Sequence, residues 1–481
     1  MSFLLIIIKS ILLYTYTVKH LKIGQIYHRL RYKANRQNLN LRAVNATYFP
    51  PCKPIGIPKA YSGIDSRGHI SFLGGCVHQD QIIWDAVDHD KLWRYNLHYF
   101  DFLNGNNSKK TIDLEHSVIS DWINANPPCR TVGWDPYPTS LRIINWIKWS
   151  HNVQRLPAGF ARNLVLQTRC LRRTLEYHLL ANHLFVNAKA LVFSGVSFVG
   201  KEADEWLIKG MTILRHEIDE QILPDGGHFE RSPMYHSMIL EDVLDLLSLL
   251  NHPSRELPPT VKKFTVYLES KALSMVSWLR EMCHPDGQIS FFNDAAFMIA
   301  PTLFELERYA TSIDLNLRPM NLEKKISGKY FQESGFVSVR WGCDTQLLAN
   351  IGSIKPDYQP GHSHAESLCF ELSIKGERFF VNSGISTYEN SPLRLLQRAT
   401  KSHNTVEIDG KNSSEVWSSF RVAKRAFVSS VSFQSAHDSI KCHASHNGYS
   451  NRKSKVIHNR EWIMGLGSVY ISDKIDGLFK N

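Results

Sequence analysis

Gly335-Phe336-Val337-Ser338-Val339-Arg340-Trp341 runs with period two, and the chain obeys different rules on either side of it. Successive side chains of a strand point to opposite faces, so this spacing marks a sheet with one buried face. The same period returns at Gln346–Ile351, Ser367–Ile374, Glu377–Asn382, Thr405–Asp409 and Ala426–Phe433. Short strands separated by Gly, Asn and Asp turns predict an antiparallel β-sheet domain. Upstream, the composition shifts between Asn316 and Lys329, through Arg318-Pro319-Met320 and Glu323-Lys324-Lys325. Before that shift, from Trp84 to about Tyr309, the period is helical. Asp204–Gln221 carries Leu207, Met211, Leu214 and Ile218 on one stripe, and His236–Leu250 carries Ile239, Val243, Leu246 and Leu250. Pro224-Asp225-Gly226-Gly227 and Pro285-Asp286-Gly287-Gln288 supply similar turns after helices, which suggests stacked hairpins in a toroid or solenoid. The expected layout is a basic and apolar segment over 1–60, an all-helical domain over 61–320 and a β-sandwich over 321–481.

At 481 residues the chain is too long for one core. Its net charge of +11 favours an acidic partner: nucleic acid, an anionic membrane surface or an anionic polysaccharide. The sequence holds no zinc-finger spacing, compact basic recognition helix or phosphate-binding Gly loop, which argues against nucleic acid. Eleven Trp and 18 Tyr suit either a carbohydrate groove or core packing. Eight scattered cysteines without a CxxC pair read as mostly buried thiols. The apolar run from Phe3 to Ile8, continued by Ile11-Leu12-Leu13-Tyr14, is too short for a confident membrane span. Lys9 interrupts it, and neither a leading positive charge nor a small-residue cleavage site accompanies it. It reads as an amphipathic or docking segment that contacts a membrane surface. Cell envelope or periplasm is the expected compartment, with the cytoplasm left open. His20, Lys22, Arg29, Arg31, Lys33, Arg36 and Arg42 make residues 17–60 basic, and Phe49-Pro50-Pro51-Cys52-Lys53-Pro54 ends any helix there.

Four stretches carry chemistry. In Pro360-Gly361-His362-Ser363-His364-Ala365-Glu366, two histidines at i and i+2 on an extended segment share one face, so they can share one cleft, or one can hold a metal while the other handles a proton. Lys401-Ser402-His403-Asn404-Thr405 adds a third. Asn182 lies among aliphatic residues on a helix, where a buried amide requires partners; an interhelix bond or a cap would equally explain it. In Gly226-Gly227-His228-Phe229-Glu230-Arg231-Ser232-Pro233-Met234-Tyr235-His236, the proline starts a helix. Tyr235 near that N-terminus is expected to favour phenolate and carry a proton, or else to cap or pack.

Ala181-Asn182-His183-Leu184, the stretch 226–236, Pro360–His364 and Ser402-His403-Asn404-Thr405 together resemble the heparinase II/III-type polysaccharide lyases, in the same order over roughly residues 85 to 475. The resemblance implies an N-terminal (α/α) toroid followed by an antiparallel β-sandwich. It also implies β-elimination of a uronic-acid polysaccharide, which needs a carboxylate neutraliser, a base and an acid. On the matching positions Asn182 binds the carboxylate, aided by His183. Tyr235 is the acid and a candidate base, and His362 transfers a proton or stabilises charge. Metal ligands map to His364, Asn382 and His403; Asn382 stands where the pattern has Asp, so a structural zinc would bind more weakly. Arg394 and Arg398 could meet substrate carboxylates, and Trp134, Tyr137 and Arg142 could line the groove. Relatives usually continue with more strands after Ser468–Ser472, so the sandwich is either short or lacks its last strands, leaving an exposed edge. The readings kept open beside a lyase are a uronate C5-epimerase and a non-catalytic glycan-binding or assembly protein.

Overall fold

The computed structural model describes residues 3–34, 40–42, 46–59, 62–72, 75–105, 111–319, 325–451, 454–465 and 467–477. The expected domain boundary at about residue 320 and the basic Arg36 lie outside these residues.

Two layers of helix alternate along the N-terminal domain. Helices α3 (Lys91–Tyr99), α5 (Pro136–Ser150), α7 (Ala181–Ser197), α9 (Pro233–Asn251) and α11 (Leu303–Ser312) pack each against the next as an inner layer. Helices α4 (Ile112–Ala125), α6 (Phe160–Arg173), α8 (Lys201–Gln221) and α10 (Pro259–Met282) lie outside them. Burial explains the division. Helix α7 is buried on every face from Leu184 to Ser197, whereas α8 buries Leu207, Leu214 and Ile218 and turns Glu205, Lys209 and His216 to solvent. Apolar residues all round suit only a helix covered on all sides; one stripe suits an outer helix.

The C-terminal domain is two antiparallel sheets face to face. The first has the order 377–380, 370–374, 345–350, 336–341, 326–331; the second is the meander 428–435, 439–446, 456–465, 468–477. Val337, Val339, Leu347 and Leu372 of the first meet Ile440, Ala444, Trp462 and Met464 of the second. Ser468–Gly477 is an outer strand paired on one side. Thr405–Asp409, expected as a strand, is not one. Asn404 Nδ2 donates to the carbonyls of Phe370 (3.0 Å) and Val381 (2.9 Å), so a side chain occupies acceptors at that sheet end.

The domains are clasped. Trp278 and Met282 of α10 pack with Phe292, Phe331, Phe336 and Leu348. Glu281 accepts from Ser338 Oγ at 3.1 Å and pairs with Arg340. The turn at Gly226-Gly227 is part of this contact. Gly226 has φ +88°, and a Cβ there would lie 2.3 Å from the Ser274 carbonyl oxygen, so glycine is required. Two further helices, α1 (Phe3–Val18) and α2 (Ile23–Ala34), lie across both domains: Trp417 Nε1 donates to Thr17 Oγ1 at 3.2 Å, and Tyr32 stacks on His178. Among the described residues no helix is long and apolar enough to cross a membrane. Of the cysteines four are buried, one half-buried and three exposed, and the Cys129 and Cys170 sulfurs lie 3.2 Å apart, so the expectation of mostly buried thiols holds only in part.

Candidate active site

Three segments converge between the toroid and the sandwich. The first is the N-terminus of α9. Ser232 caps it by accepting from the Tyr235 amide at 3.2 Å, and Pro233 occupies the first turn. The second is the loop around Asn293-Asp294, and the third is 360–366. The last is not an extended strand, as its alternation suggested: the strand starts only at Phe370. Its backbone groups bond elsewhere, His364 N to Asn293 Oδ1 (3.1 Å) and Ala365 N to the Arg398 carbonyl (3.0 Å). The two histidines still converge, because both donate to one carboxylate. His362 Nδ1 lies 2.8 Å from Asp294 Oδ2, and His364 Nε2 lies 2.7 Å from Asp294 Oδ1.

Asp294 is the hub that the sequence did not announce. Arg394 grips it from the far side, with Nη2 2.8 Å from Oδ2. Burial would raise this carboxyl, but bonds from His362, His364 and Arg394 hold it well below the usual carboxylate range. It is therefore an anion faced by His362 Nδ1, which leaves His362 Nε2 with no hydrogen-bond partner among the described residues. The Tyr235 ring lies on the His362 imidazole with centroids 3.9 Å apart, and its hydroxyl meets Tyr388 Oη at 3.0 Å. The expectation of a phenolate is overturned. Burial, then Tyr388 and Asp294, push the Tyr235 phenol well above its ordinary range, and the helix end does not offset this. Tyr235 is a phenol.

On the toroid side, Asn182 and His183 open helix α7 after two left-handed residues, Leu180 (φ 63°) and Ala181 (φ 51°). Asn182 is half-buried rather than buried. The fully buried amide is Asn187, held by Ser140 Oγ at 3.0 Å and by Glu176. His183 bonds Glu176 Oε1 at 3.2 Å and lies against the Tyr137 ring, centroids 4.6 Å apart. Ala181 packs with Phe229 and Tyr358, which ties the start of α7 to the segments bearing Glu230 and His362. Both oxygens of Glu230 are buried with no hydrogen-bond partner among the described residues.

Four predicted groove residues lie elsewhere. Trp134 is in the helical core, donating to the Asn126 carbonyl at 3.2 Å. Arg142 is wholly buried over Trp122, donating to Gln167 at 3.0 Å. Arg394 and Arg398 are fully buried too. Arg398 donates to the Ser363 carbonyl at 2.8 Å, so it positions the loop rather than meeting a substrate carboxylate. An arginine inside a packed wall cannot reach a polymer in the cleft.

A second cluster sits behind His362. His364 Nδ1 and His403 Nε2 face each other at 3.3 Å. His364 Nε2 donates to Asp294, and His403 Nδ1 donates to Asn382 Oδ1 at 3.0 Å. Burial drives His364 down to about 4 and His403 well below its ordinary range, so both rings are neutral. On this network both facing nitrogens present lone pairs. Two imidazole ligands on a tetrahedral zinc, with bonds of about 2.0–2.1 Å, stand about 3.3 Å apart. The Glu366 carboxyl completes a set whose donor atoms lie within 4.8 Å of one another. His364, Glu366 and His403 could thus hold a metal ion, the Glu366 carboxyl, pushed up to about 8 by burial, giving up its proton on binding. Asn382 acts as the acceptor that orients His403, while its amide donates to Glu371 at 3.0 Å.

Asp294, Tyr388, Glu230 and Glu366 were not singled out in the sequence. Glu230 and Glu366 stood inside the quoted stretches, each two residues after a histidine of the same stretch. Nothing local distinguishes Asp294 or Tyr388.

Residues 74–311 match the heparinase II/III N-terminus, and residues 323–478 match the heparinase II/III-like C-terminal domain. Among curated proteins, the chain is 27% identical over 252 residues to the heparin-sulfate lyase of Pedobacter heparinus, covering 48% of this chain and 36% of that one. It is 25% identical over 396 residues to the heparin-sulfate lyase of Bacteroides thetaiotaomicron, covering 73% and 55%. The chain thus spans about a third to a half of the curated relatives it matches. Its fold is that of solved heparinase III (TM-score 0.64, 18% identity, 92% of this chain and 74% of that one) and of heparan sulfate lyase HepC from Pedobacter heparinus (0.56, 19%, 94% and 73%).

Proposed function

Because the chain belongs to the heparinase II/III family, we propose that it cleaves a uronate-containing anionic polysaccharide by β-elimination. The observation that carries this reading is the ring contact of the Tyr235 phenol, tilted by 32°, with a His362 imidazole whose Nδ1 is fixed by Asp294. His362 Nε2 takes the C5 proton, and the Asp294 carboxylate stabilises the imidazolium that results. The Tyr235 phenol gives its proton to the departing O4. The Asn182 amide, which has no hydrogen-bond partner among the described residues, and the ring of His183 meet the uronate carboxylate, whose charge builds as C5 loses its proton. Tyr137, the one predicted aromatic that reaches the His183 side, contributes a sugar platform. Incubation with a panel of uronic-acid polymers tests the reading. New ultraviolet absorbance from an unsaturated uronate is expected with at least one, and proton exchange at C5 without absorbance would replace elimination by epimerisation.

Zinc is assigned to His364, Glu366 and His403, where it would tie the histidine loop to the sandwich and supply stability. The cell envelope is the assigned compartment. Ile11, Leu12 and Ile23 are exposed on α1 and α2, in the same segment as the exposed Lys19 and Arg29, a combination of apolar and cationic groups that suits an anionic lipid surface.

A further inference from the structure

Helices α1 and α2 precede residue 74, where the match to the heparinase II/III N-terminus begins, and they are fastened to both banks of the cleft. On the sandwich bank, Trp417 Nε1 donates to Thr17 Oγ1 at 3.2 Å, and the Tyr14 ring meets the Trp417 indole edge-on with centroids 5.0 Å apart. The Arg421 guanidinium lies over both rings, 5.2 Å from Tyr14 and 4.8 Å from Trp417. Trp417 and Arg421 sit opposite each other in the short antiparallel pair 416–417 and 421–422. The turn that joins them carries Phe420, whose ring stands 5.9 Å from the His362 imidazole and stacks on Tyr388 at 5.5 Å. One short β-hairpin thus rests on α1 and ends on the candidate base.

On the toroid bank, the turn between the two helices pairs Lys22 with Glu220 of α8 and sets its Nζ 3.9 Å over the Tyr358 ring. Tyr358 packs with Phe229 and with Ala181, the residue before Asn182. Helix α2 then covers the turn ahead of α7, where His28 stacks on Tyr177 at 5.0 Å and Tyr32 on His178 at 4.6 Å. Glu176, the residue before Tyr177, is the acid bonded to His183. Ring stacking and cations over aromatic faces hold such a contact without a core of its own. The helices therefore reach the immediate neighbours of His362, Asn182 and His183. They use none of the residues of the clasp at Trp278 and Met282, so they are a second connection between the domains. An element fastened to both banks of a groove crosses it.

We propose that the α1–α2 pair is a specificity element that closes one end of the cleft, so that the chain acts on the ends of the polysaccharide and not within it. The inference rests on the lyase reading above and deepens it by naming the form of substrate that fits, a free chain terminus. The reacting pair is deep, with Tyr235 9% exposed and the His362 side chain 14% exposed. A polymer threading past them needs the groove open at both ends, and the helices occupy one. A wall there fixes how many sugars lie beyond the bond that is cut, so every productive encounter presents the same bond and releases the same small fragment.

The test uses the full-length protein and whichever uronic-acid polymer of the panel yields ultraviolet absorbance. Wild type should release one unsaturated mono- or disaccharide from the first minutes, and viscosity should fall only in step with the absorbance. Tyr14→Ala with Trp417→Ala frees the sandwich bank. With folding checked by circular dichroism, this variant should release longer oligosaccharides early and lose viscosity several-fold faster per bond cut. That ratio is taken per product formed, so a smaller folded fraction or a slower turnover leaves it unmoved. Should the variant fail to fold, Lys22→Ala with Tyr32→Ala frees the toroid bank and is read in the same way. Long oligosaccharides from wild type at the outset, or a ratio unchanged in the folded variant, overturn the inference while the lyase reading stands. Wild type that eliminates no uronic-acid polymer overturns both.

Discussion

Asp294→Asn is the most informative single change, because one carboxylate serves three cations or donors at once. The substitution keeps the shape and removes the charge. Arg394, with no exposed surface, then loses its anionic partner and retains a carbonyl bond to Ser419 at 3.0 Å. Breaking a buried ion pair from one side costs about 3–5 kcal/mol. For a cooperative unit of 150–250 residues each kcal/mol moves Tm by about 2–4 °C, so a fall on the order of 10 °C is expected by calorimetry. The catalytic loss is separate. Without the carboxylate His362 Nδ1 has no anion to hold its proton, and the positioned base is lost. General-base contributions of ~10²–10⁴ correspond to about 2.7–5.4 kcal/mol of barrier. Adding Arg394→Met to Asp294→Asn removes the orphaned cation, so it should restore much of the Tm and none of the rate. The rate is read from the ultraviolet absorbance of the unsaturated product. A single mutant that keeps both its Tm and its kcat would refute the hub, and a double mutant that recovers activity would show that Asp294 acts only through packing.

Tyr235→Phe should abolish turnover while glycan binding by calorimetry changes little, since the phenol is needed as a proton donor; surviving wild-type activity would remove it from the chemistry. The Asp294 carboxyl is depressed in the folded state. The stability it gives is therefore full above its unfolded value of about 3.9 and is lost as pH falls below that. The Tm gap between wild type and Asp294→Asn should accordingly close in acid titrations. Zinc content by elemental analysis should approach one per chain and fall in Glu366→Gln, and Asn382→Asp should tighten binding by giving the His403 Nδ1 proton a carboxylate acceptor; a chelator that leaves Tm unmoved would count against the site. Ile11→Glu with Leu12→Glu should abolish co-sedimentation with vesicles of anionic lipid, and salt should weaken it in wild type.

The order of a helical part before a sheet part, and most strands, followed from periodicity, because a covered face imposes its spacing on the residues that fill it. Helix α8 shows this with Leu207, Leu214 and Ile218, and the strand 336–341 with Val337 and Val339. Helix α7 was less legible, since burial on all sides leaves no stripe to read. The histidines at 362 and 364 were legible as a pair; the structure sets both on Asp294 but buries His364 behind His362, and the strand invoked to align them is absent.

Tertiary structure alone decided which arginines could reach a polymer, because Arg142, Arg394 and Arg398 look like surface cations until their buried partners are seen. It alone placed Asp294, 68 residues before His362, against both imidazoles. It also set the protonation of Tyr235, where burial outweighs the helix end that the sequence showed. Spacing along a chain reports which face a residue shares with its neighbours. Solvation and charge depend on distant segments that arrive only on folding, and the chemistry of this cleft is set by those.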